Sequence, residues 1–419
     1  MKKWEAYKVY LILRGISALL FAMIFTYSSV YQVTVAQLSA LQLVLVGTML
    51  ELTVFIFEVP TGVVADVYSR RLSVIIGYVL IGLGFVVEGA VPLFVTILLA
   101  QVLWGFGYTF TSGATEAWIT DEIGEKAAGG AFLRGGQAGQ IGALAGIGIG
   151  MALAIVRVNL PIVVGGVLLM GLGAFLALVM PETGFQPLPK EQRSTRQNMV
   201  HTFRGGLGMV KRRPALKTIL LVGLFFGLYS EGLDRLWVKH LIDDVSLPAL
   251  GNVDPLIWFG VIRAVGMEVS TGSIEVVRRR VNMGSTVSMV RTLFAITSIL
   301  VVSVIGFAWA RGFVLALLAY WVVVAARSMI GPIYTAWVNQ RLDSAVRATV
   351  ISMSGQVDAI GQILGGPVIG LIGNLFSVQA AITVSGLLLT PVLGLYGRAL
   401  RRGEDAGETP ATVWNDKGN

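Results

Sequence analysis

Apolar residues in this chain come in long runs, and the polar ones gather between them. A run of about 20 apolar residues spans a bilayer as an α-helix, which satisfies its own backbone hydrogen bonds in lipid. An outer-membrane barrel would instead show alternating segments of roughly ten residues. Twelve spans are predicted. Six lie at roughly 9–31, 40–63, 72–91, 93–118, 131–156 and 160–180. Six more lie at roughly 215–238, 254–277, 285–309, 312–336, 348–373 and 377–398. The expected class is an all-α polytopic membrane protein. Residues 1–180 form an N-terminal six-helix bundle, 181–214 a cytoplasmic linker and 215–400 a C-terminal six-helix bundle. Residues 401–419 form a polar cytoplasmic tail, expected to be disordered. The first run, from about Val9 to Val30, is too long for a signal-peptide core and no small-residue cleavage site stands out after it, so it is read as a span.

Charge orients the spans. With the N-terminus inside, the even loops, linker, termini and adjoining span ends hold 25 of the 32 Lys and Arg residues. The opposite side holds Arg157, Arg235, Lys239 and Arg311, and Arg14, Arg263 and Arg327 lie within spans. This bias places both termini in the cytoplasm. The linker and its edge contribute Lys190, Arg193, Arg196, Arg204, Lys211, Arg212, Arg213 and Lys217. They are expected to lie along anionic lipids, with a surface helix from Val200 to Lys211. Nucleic-acid binding explains this basic run less well, because the net charge of +8 is distributed as membrane flanks.

Composition narrows the chemistry. The 419 residues are 55% hydrophobic and 13% charged, with mean hydropathy +0.76. A soluble domain carries about 25% charged residues. The 51 glycines suit closely packed membrane helices. Cysteine is absent, which excludes disulfides and thiolate metal sites, and His201 and His240 are too few for a usual zinc site. No phosphate loop, dinucleotide loop or nucleophile constellation is present. Neither an enzyme nor a cofactor or metal is expected.

Two internal matches suggest a doubled chain. At an offset of 219 residues, Ala117-Trp118 matches Ala336-Trp337, Gly136-Gln137 matches Gly355-Gln356, Gly142 matches Gly361 and Gly146 matches Gly365. At an offset of 209, Asp66, Arg70 and Arg71 match Glu275, Arg279 and Arg280. Together they predict two halves in the same membrane orientation, with a substrate path between them.

Ionisable groups at membrane depth are costly, so they pair or face a cavity. Glu51 and Glu58 are seven apart in span 2 and share nearly one helix face. Together with Glu268, Asp358, Arg14 and Arg263 they are the candidates for proton or cargo coupling. Desolvation disfavours a charged carboxylate there, which suits proton exchange. Asp358 is expected to pair with Arg70 or Arg327. The bland reading leaves Glu88, Asp234 and Arg235 at an outer interface, lets Arg14 snorkel and has Glu116 cap the inner face. Candidate cargo contacts are Phe25, Phe55, Gln101, Trp104, Tyr108, Phe226, Tyr229, Glu231 and Gln356. Aromatics hold flat or cationic molecules by stacking, although most in a membrane bundle face lipid or other helices.

The stretch Gly62-Val63-Val64-Ala65-Asp66-Val67-Tyr68-Ser69-Arg70-Arg71 joins spans 2 and 3. By itself it is a wet loop with charges that stop the spans. Its pattern, Gly-x-x-x-Asp-x-x-x-Arg-Arg, resembles the corresponding loop of the major facilitator superfamily. With Glu58-Val59-Pro60-Thr61 before it, the likeness is to the prokaryotic drug-exporter-like branches. The resemblance implies gating roles for Gly62, Asp66, Arg70 and Arg71, with the weaker counterparts Glu275, Arg279 and Arg280. It implies that Asp66 engages the start of span 11, framed by Arg341 and Arg347, in the outward-facing state. Gly361-x-x-x-Gly365-Gly366-Pro367-x-x-Gly370 resembles the antiporter Gly-Pro motif, which in the family belongs to span 5. Here the mate in span 5, Gly142-x-x-x-Gly146, lacks the proline. Gln101-x-x-x-Gly105 stands where many proton-driven exporters carry Arg-x-x-x-Gly. Gln101 cannot carry that charge, and Arg14 or Arg263 could supply it.

The expected function is alternating-access transport, as proton-coupled efflux of hydrophobic or cationic amphipathic small molecules. Transport of a specific metabolite, sugar or lipid is the alternative. A membrane receptor or scaffold fits less well, because almost all loops are short. The chain is expected to act as a monomer in a prokaryotic inner or plasma membrane.

Overall fold

The computed structural model describes residues 5–187, 214–249, 251, 254–340 and 344–405. Every regular element among them is helical. Twelve helices account for the fold. The first bundle holds α1 (Ala6–Thr34), α2 (Ala40–Val67), α3 (Arg70–Ala90), α4 (Phe94–Ile123), α5 (Glu125–Val156) and α6 (Leu160–Val179). The second holds α7 (Pro214–His240), α8 (Ile257–Arg280), α9 (Thr286–Ala308), α10 (Phe313–Gln340), α11 (Ser344–Leu375) and α12 (Val378–Arg401).

Local chemistry sets several helix ends. Ser39 and Gln42 form a capping box at the start of α2: the Ser39 N–H donates to Gln42 Oε1 at 2.9 Å, and the Gln42 N–H donates to Ser39 Oγ. Ser69, Ser285 and Ser377 cap α3, α9 and α12 through the same side-chain oxygen. In α4 the chain breaks at Ser112–Gly113, where Gly113 takes φ +69°. Such a backbone suits glycine because it has no Cβ.

Among the described residues, eleven helices are long and apolar enough to cross a membrane. The exception among the twelve is α8, whose 24 residues include Arg263, Glu268, Glu275, Arg278, Arg279 and Arg280. Its length of about 36 Å at 1.5 Å per residue still exceeds the roughly 30 Å hydrocarbon core.

Several boundaries differ from the sequence reading. The stretch beginning at Gly62 is mostly helix rather than loop: α2 runs to Val67, α3 starts at Arg70, and only Tyr68–Ser69 lie between them. Charged residues therefore extend these helices beyond their apolar portions. Likewise α4 continues to Ile123 and α5 begins at Glu125. The linker bases from Lys190 to Arg213, the surface helix from Val200 to Lys211, Arg341 and the last residues of the tail lie outside the described residues.

Packing repeats with a shift of six helices. In the first bundle α1 packs on α5, α2 on α4, and α3 on α4 and α6. In the second, α7 packs on α11, α8 on α10, and α9 on α10 and α12. The matched glycines lie in equivalent seams. Gly142 and Gly146 of α5 press on the backbone carbonyls of Gly15 and Leu19 in α1. In α11, a Cβ at Gly361 would stand 2.5 Å from the Leu224 oxygen of α7, and one at Gly365 would stand 2.7 Å from the Leu228 oxygen. Only glycine permits backbones this close.

The bundles meet where α2 lies against α11 and α5 against α8. They are closed at the end bearing the α1–α2 and α11–α12 turns. There the Leu41 N–H donates to Asn374 Oδ1 at 3.0 Å, and Asn374 Nδ2 donates to Ser39 Oγ at 3.4 Å. A Cβ at Gly370 would lie 3.0 Å from Leu41 Cα. At the α2–α3 end, a Cβ at Gly62 would meet nothing within 4 Å among the described residues.

Candidate functional site

Between the halves lies a cavity of about 600 Å³. From α2 it receives Glu51, Phe55 and Glu58; from α4, Trp104 and Tyr108; from α11, Gln356, Asp358 and Gln362. The seven-residue spacing of Glu51 and Glu58 puts both carboxylates on the cavity face of α2. Gln362 Nε2 donates to Asp358 Oδ2 at 2.8 Å. A second compartment of about 370 Å³ lies among α7, α10 and α11, lined by residues including Phe226, Arg327, Tyr334 and Asp358. Asp358 borders both compartments.

The base on this wall is already neutralised. Arg327 of α10 donates with both terminal nitrogens to the Asp234 carboxylate of α7, and the Nη2–Oδ2 bond is 2.8 Å. A bidentate guanidinium–carboxylate pair fixes both charge and orientation. Arg327 also sits 5.6 Å from the Tyr229 ring centre. Tyr229 is buried beneath it and does not line either compartment. Arg263 of α8 is half-buried within electrostatic reach of Tyr320 and Asp234.

Nearer the closed end, Arg235 Nε and Glu231 Oε2 pair at 3.2 Å along α7. This pair presses on α2 at Gly47, where a Cβ would stand 2.9 Å from Arg235 Cζ. Glu231 is therefore packed in the interface and does not face the cavity. Asp234 and Arg235 also depart from the expected outer surface, because each is paired and partly covered by the bundle.

The first bundle contains a carboxylate that the sequence reading put at the surface. Glu88 is 1% exposed. Ser28 Oγ and Gln32 Nε2 of α1 donate to its Oε1 at 2.6 and 2.8 Å, and Gln101 Nε2 of α4 donates to its Oε2 at 3.0 Å. Gln101 is consequently buried away from the cavity. Phe25 is one layer behind the wall, 5.2 Å from the Trp104 ring centre. Arg14 pairs with Glu116 at 3.7 Å within the same bundle. Glu268 is exposed on α8 and has no ion pair among the described residues. Glu51, Glu58, Asp358, Phe55, Trp104, Tyr108 and Gln356 thus come together around the larger cavity and Phe226 lines the smaller one, whereas Phe25, Tyr229, Arg14, Arg263, Gln101, Glu231 and Glu268 line neither.

The α2–α3 turn is fastened within its own bundle. Asp66 Oδ1 is 3.8 Å from Arg70 Nη2, and Arg70 also donates to Asp121 of α4. Ser69 Oγ and the Arg71 N–H donate to the two oxygens of Glu182 at 2.7 and 2.9 Å. Arg71 Nη2 donates to the Ala177 carbonyl at 2.5 Å. The expected pairing of Asp358 with Arg70 is not formed. In the second bundle Glu275 accepts from Arg278 at 2.6 Å and Arg279 at 2.5 Å, while Arg280 is exposed beyond them. Asp121, Glu182 and Arg278 were missed because they lie outside the short motif. Asp121 and Glu182 meet the turn from more than 50 residues away, and Arg278 meets Glu275 from one turn on.

Two helical bundles thus flank a cavity lined by acids, amides and aromatics. The Major Facilitator Superfamily model matches residues 10–366, and the chain belongs to that family. It is 24% identical over 360 residues to the uncharacterized MFS-type transporter YxaM of Bacillus subtilis (strain 168), covering 84% of this chain and 86% of the relative. Its fold resembles the nucleoside transporter NupG, with a TM-score of 0.73 and 14% identity, covering 95% of this chain and 100% of that one. It also resembles a bacterial homolog of the human lysosomal transporter Spinster in an inward-facing, unoccupied conformation. There the TM-score is 0.74 and the identity 15%, over 98% of this chain and 100% of that one. The protein is a multi-pass membrane transporter rather than an enzyme.

Proposed function

We propose that this transporter exchanges protons for cationic amphipathic small molecules and moves them out of the cytoplasm. The observation that carries the reading is the joint presence of Glu51, Glu58 and Asp358 with Phe55, Trp104 and Tyr108 around one cavity. Carboxylates in a partly dry site attract a cation or a proton, and aromatic faces hold its apolar or flat portion. The one guanidinium on the adjoining wall is matched by Asp234 and leaves the balance acidic. The bias of bases toward the α2–α3 end supports a cytoplasmic opening in this state. Proton release inward vacates an acid for the cargo, and outward opening reverses the occupancy.

The drug-exporter-like run from Glu58 to Arg71 supports export. Both bundles lie in one chain, which supports a functional monomer. The charge distribution supports a prokaryotic inner membrane, cytoplasmic termini and contact of Lys217 and the linker bases with anionic lipid. The test is movement of an amphipathic cationic dye in proteoliposomes with an imposed pH gradient. Gradient-dependent movement against the dye's own gradient is expected. Its absence in both membrane orientations, with folded protein, overturns the reading.

A second reading is a specific polar metabolite. Gln356 and Gln362 bring two amides to the same cavity, and the NupG likeness includes a nucleoside transporter. Saturable nucleoside transport without dye transport would select it.

A further inference from the structure

Asp358 separates two unlike spaces. On one side are the carboxylates Glu51 and Glu58. On the other, among α7, α10 and α11, is the compartment of about 370 Å³ whose apolar wall includes Val222, Phe226, Ile330 and Val338. The polar groups of that second space are largely partnered. Arg327 is held by Asp234, and Tyr334 Oη donates to the Ile219 carbonyl at 2.9 Å. An apolar occupant therefore leaves few polar atoms unpaired. Asp358 Oδ2 accepts from Gln362, whereas Oδ1 has no hydrogen bond among the described residues.

Glycine keeps the compartment wide. A Cβ at Gly331 or Gly355 would meet nothing within 4 Å. This differs from Gly361 and Gly365, whose missing side chains are required by the contact with α7. Gly331 thus lines usable space instead of a helix seam.

From this arrangement we infer that the site takes a two-part ligand: a compact cationic head beside Asp358 and a single flexible apolar arm in the compartment lined by Phe226, Ile330 and Gly331. This inference rests on the proposed cationic-amphipath reading and adds which part of the ligand occupies which space. Asp358 then fixes the head, while the length of the arm determines how much of the apolar compartment is filled. A rigid, wide aromatic cation would fill only the acid-lined side.

The test uses ethyl-, hexyl- and decyltrimethylammonium, which share one head. Binding to the full chain is measured in lipid nanodiscs, with the signal of empty discs subtracted. The wild-type protein is expected to bind the longer ions more tightly, by up to about fourfold per methylene that enters the compartment. Gly331→Leu fills the same space. It is expected to lower the decyl-to-ethyl affinity ratio by about sixteenfold, as lost room for roughly two methylenes requires. If that variant does not fold, Gly331→Ala provides the test, with the ratio expected to fall by about fourfold, one methylene's worth. An unchanged ratio in the folded variant overturns the inference. If ethyltrimethylammonium still binds and Asp358→Asn weakens it, the cationic reading survives that failure. If none of the three ions binds the wild-type protein, both the inference and the cationic reading fail.

Discussion

Gln101 donates to Glu88 at 3.0 Å, tying α4 to α3 inside the first bundle. The carboxylate has three neutral donors and almost no exposure. Removing a donor from such a buried group costs about 1–3 kcal/mol. Gln101→Leu is expected to lower the thermal unfolding temperature in detergent. Glu88→Gln is expected to be milder, because Gln101 Oε1 has no partner and can accept from the new amide after a flip. Equal stability of Gln101→Leu and wild type would show that this bond is dispensable.

The Asp234–Arg327 pair predicts non-additivity. Its side chains are 41% and 36% exposed, so losing one partner should cost less than the roughly 3–5 kcal/mol of a fully buried pair. Asp234→Asn and Arg327→Gln are each expected to destabilise by about 1–3 kcal/mol. The double variant should recover part of that loss, because neither charge remains alone. Unfolding midpoints of the four proteins give the coupling, and strict additivity would dissolve the pair as a unit.

The glycine seams predict a contrast between positions that look alike in sequence. Gly142→Leu and Gly361→Leu each force a side chain into an opposing backbone and should cost at least about 1–3 kcal/mol. Gly148 has open space at its Cβ position, so Gly148→Leu should be tolerated. Folded yield and thermal unfolding distinguish the two classes.

The doubling and the helical fold were legible because lipid demands long apolar helices and because the Gly142/Gly146 and Gly361/Gly365 pairs serve the same seam in both halves. The ends of α2 and α4 were less legible, since a helix continues past the bilayer once charges can reach water. Glu51 and Glu58 reach the cavity through simple helical periodicity. Glu88 and Gln101 were misread because membrane depth alone does not distinguish a surface carboxylate from one covered by another helix. Glu231 likewise depends on the register of α7 against Gly47, which a single sequence does not contain.

The Ser39–Asn374 contact closes one end of the molecule. The sequence has no cysteine, so Ser39→Cys with Asn374→Cys introduces one pair without competing thiols. Oxidation is expected to lock this end and stop net transport, and reductant is expected to restore it. Undiminished transport by fully cross-linked protein would contradict alternating access through this end.

The most direct test of the account concerns the cavity acids. Uptake of an amphipathic cation, driven by a pH gradient, is measured in proteoliposomes for wild type and for a Glu51→Gln, Glu58→Gln, Asp358→Asn triple variant with matched insertion and an unchanged unfolding profile. The account predicts loss of gradient-driven movement in the triple variant. Retained transport with the wild-type dependence on the pH gradient would contradict it.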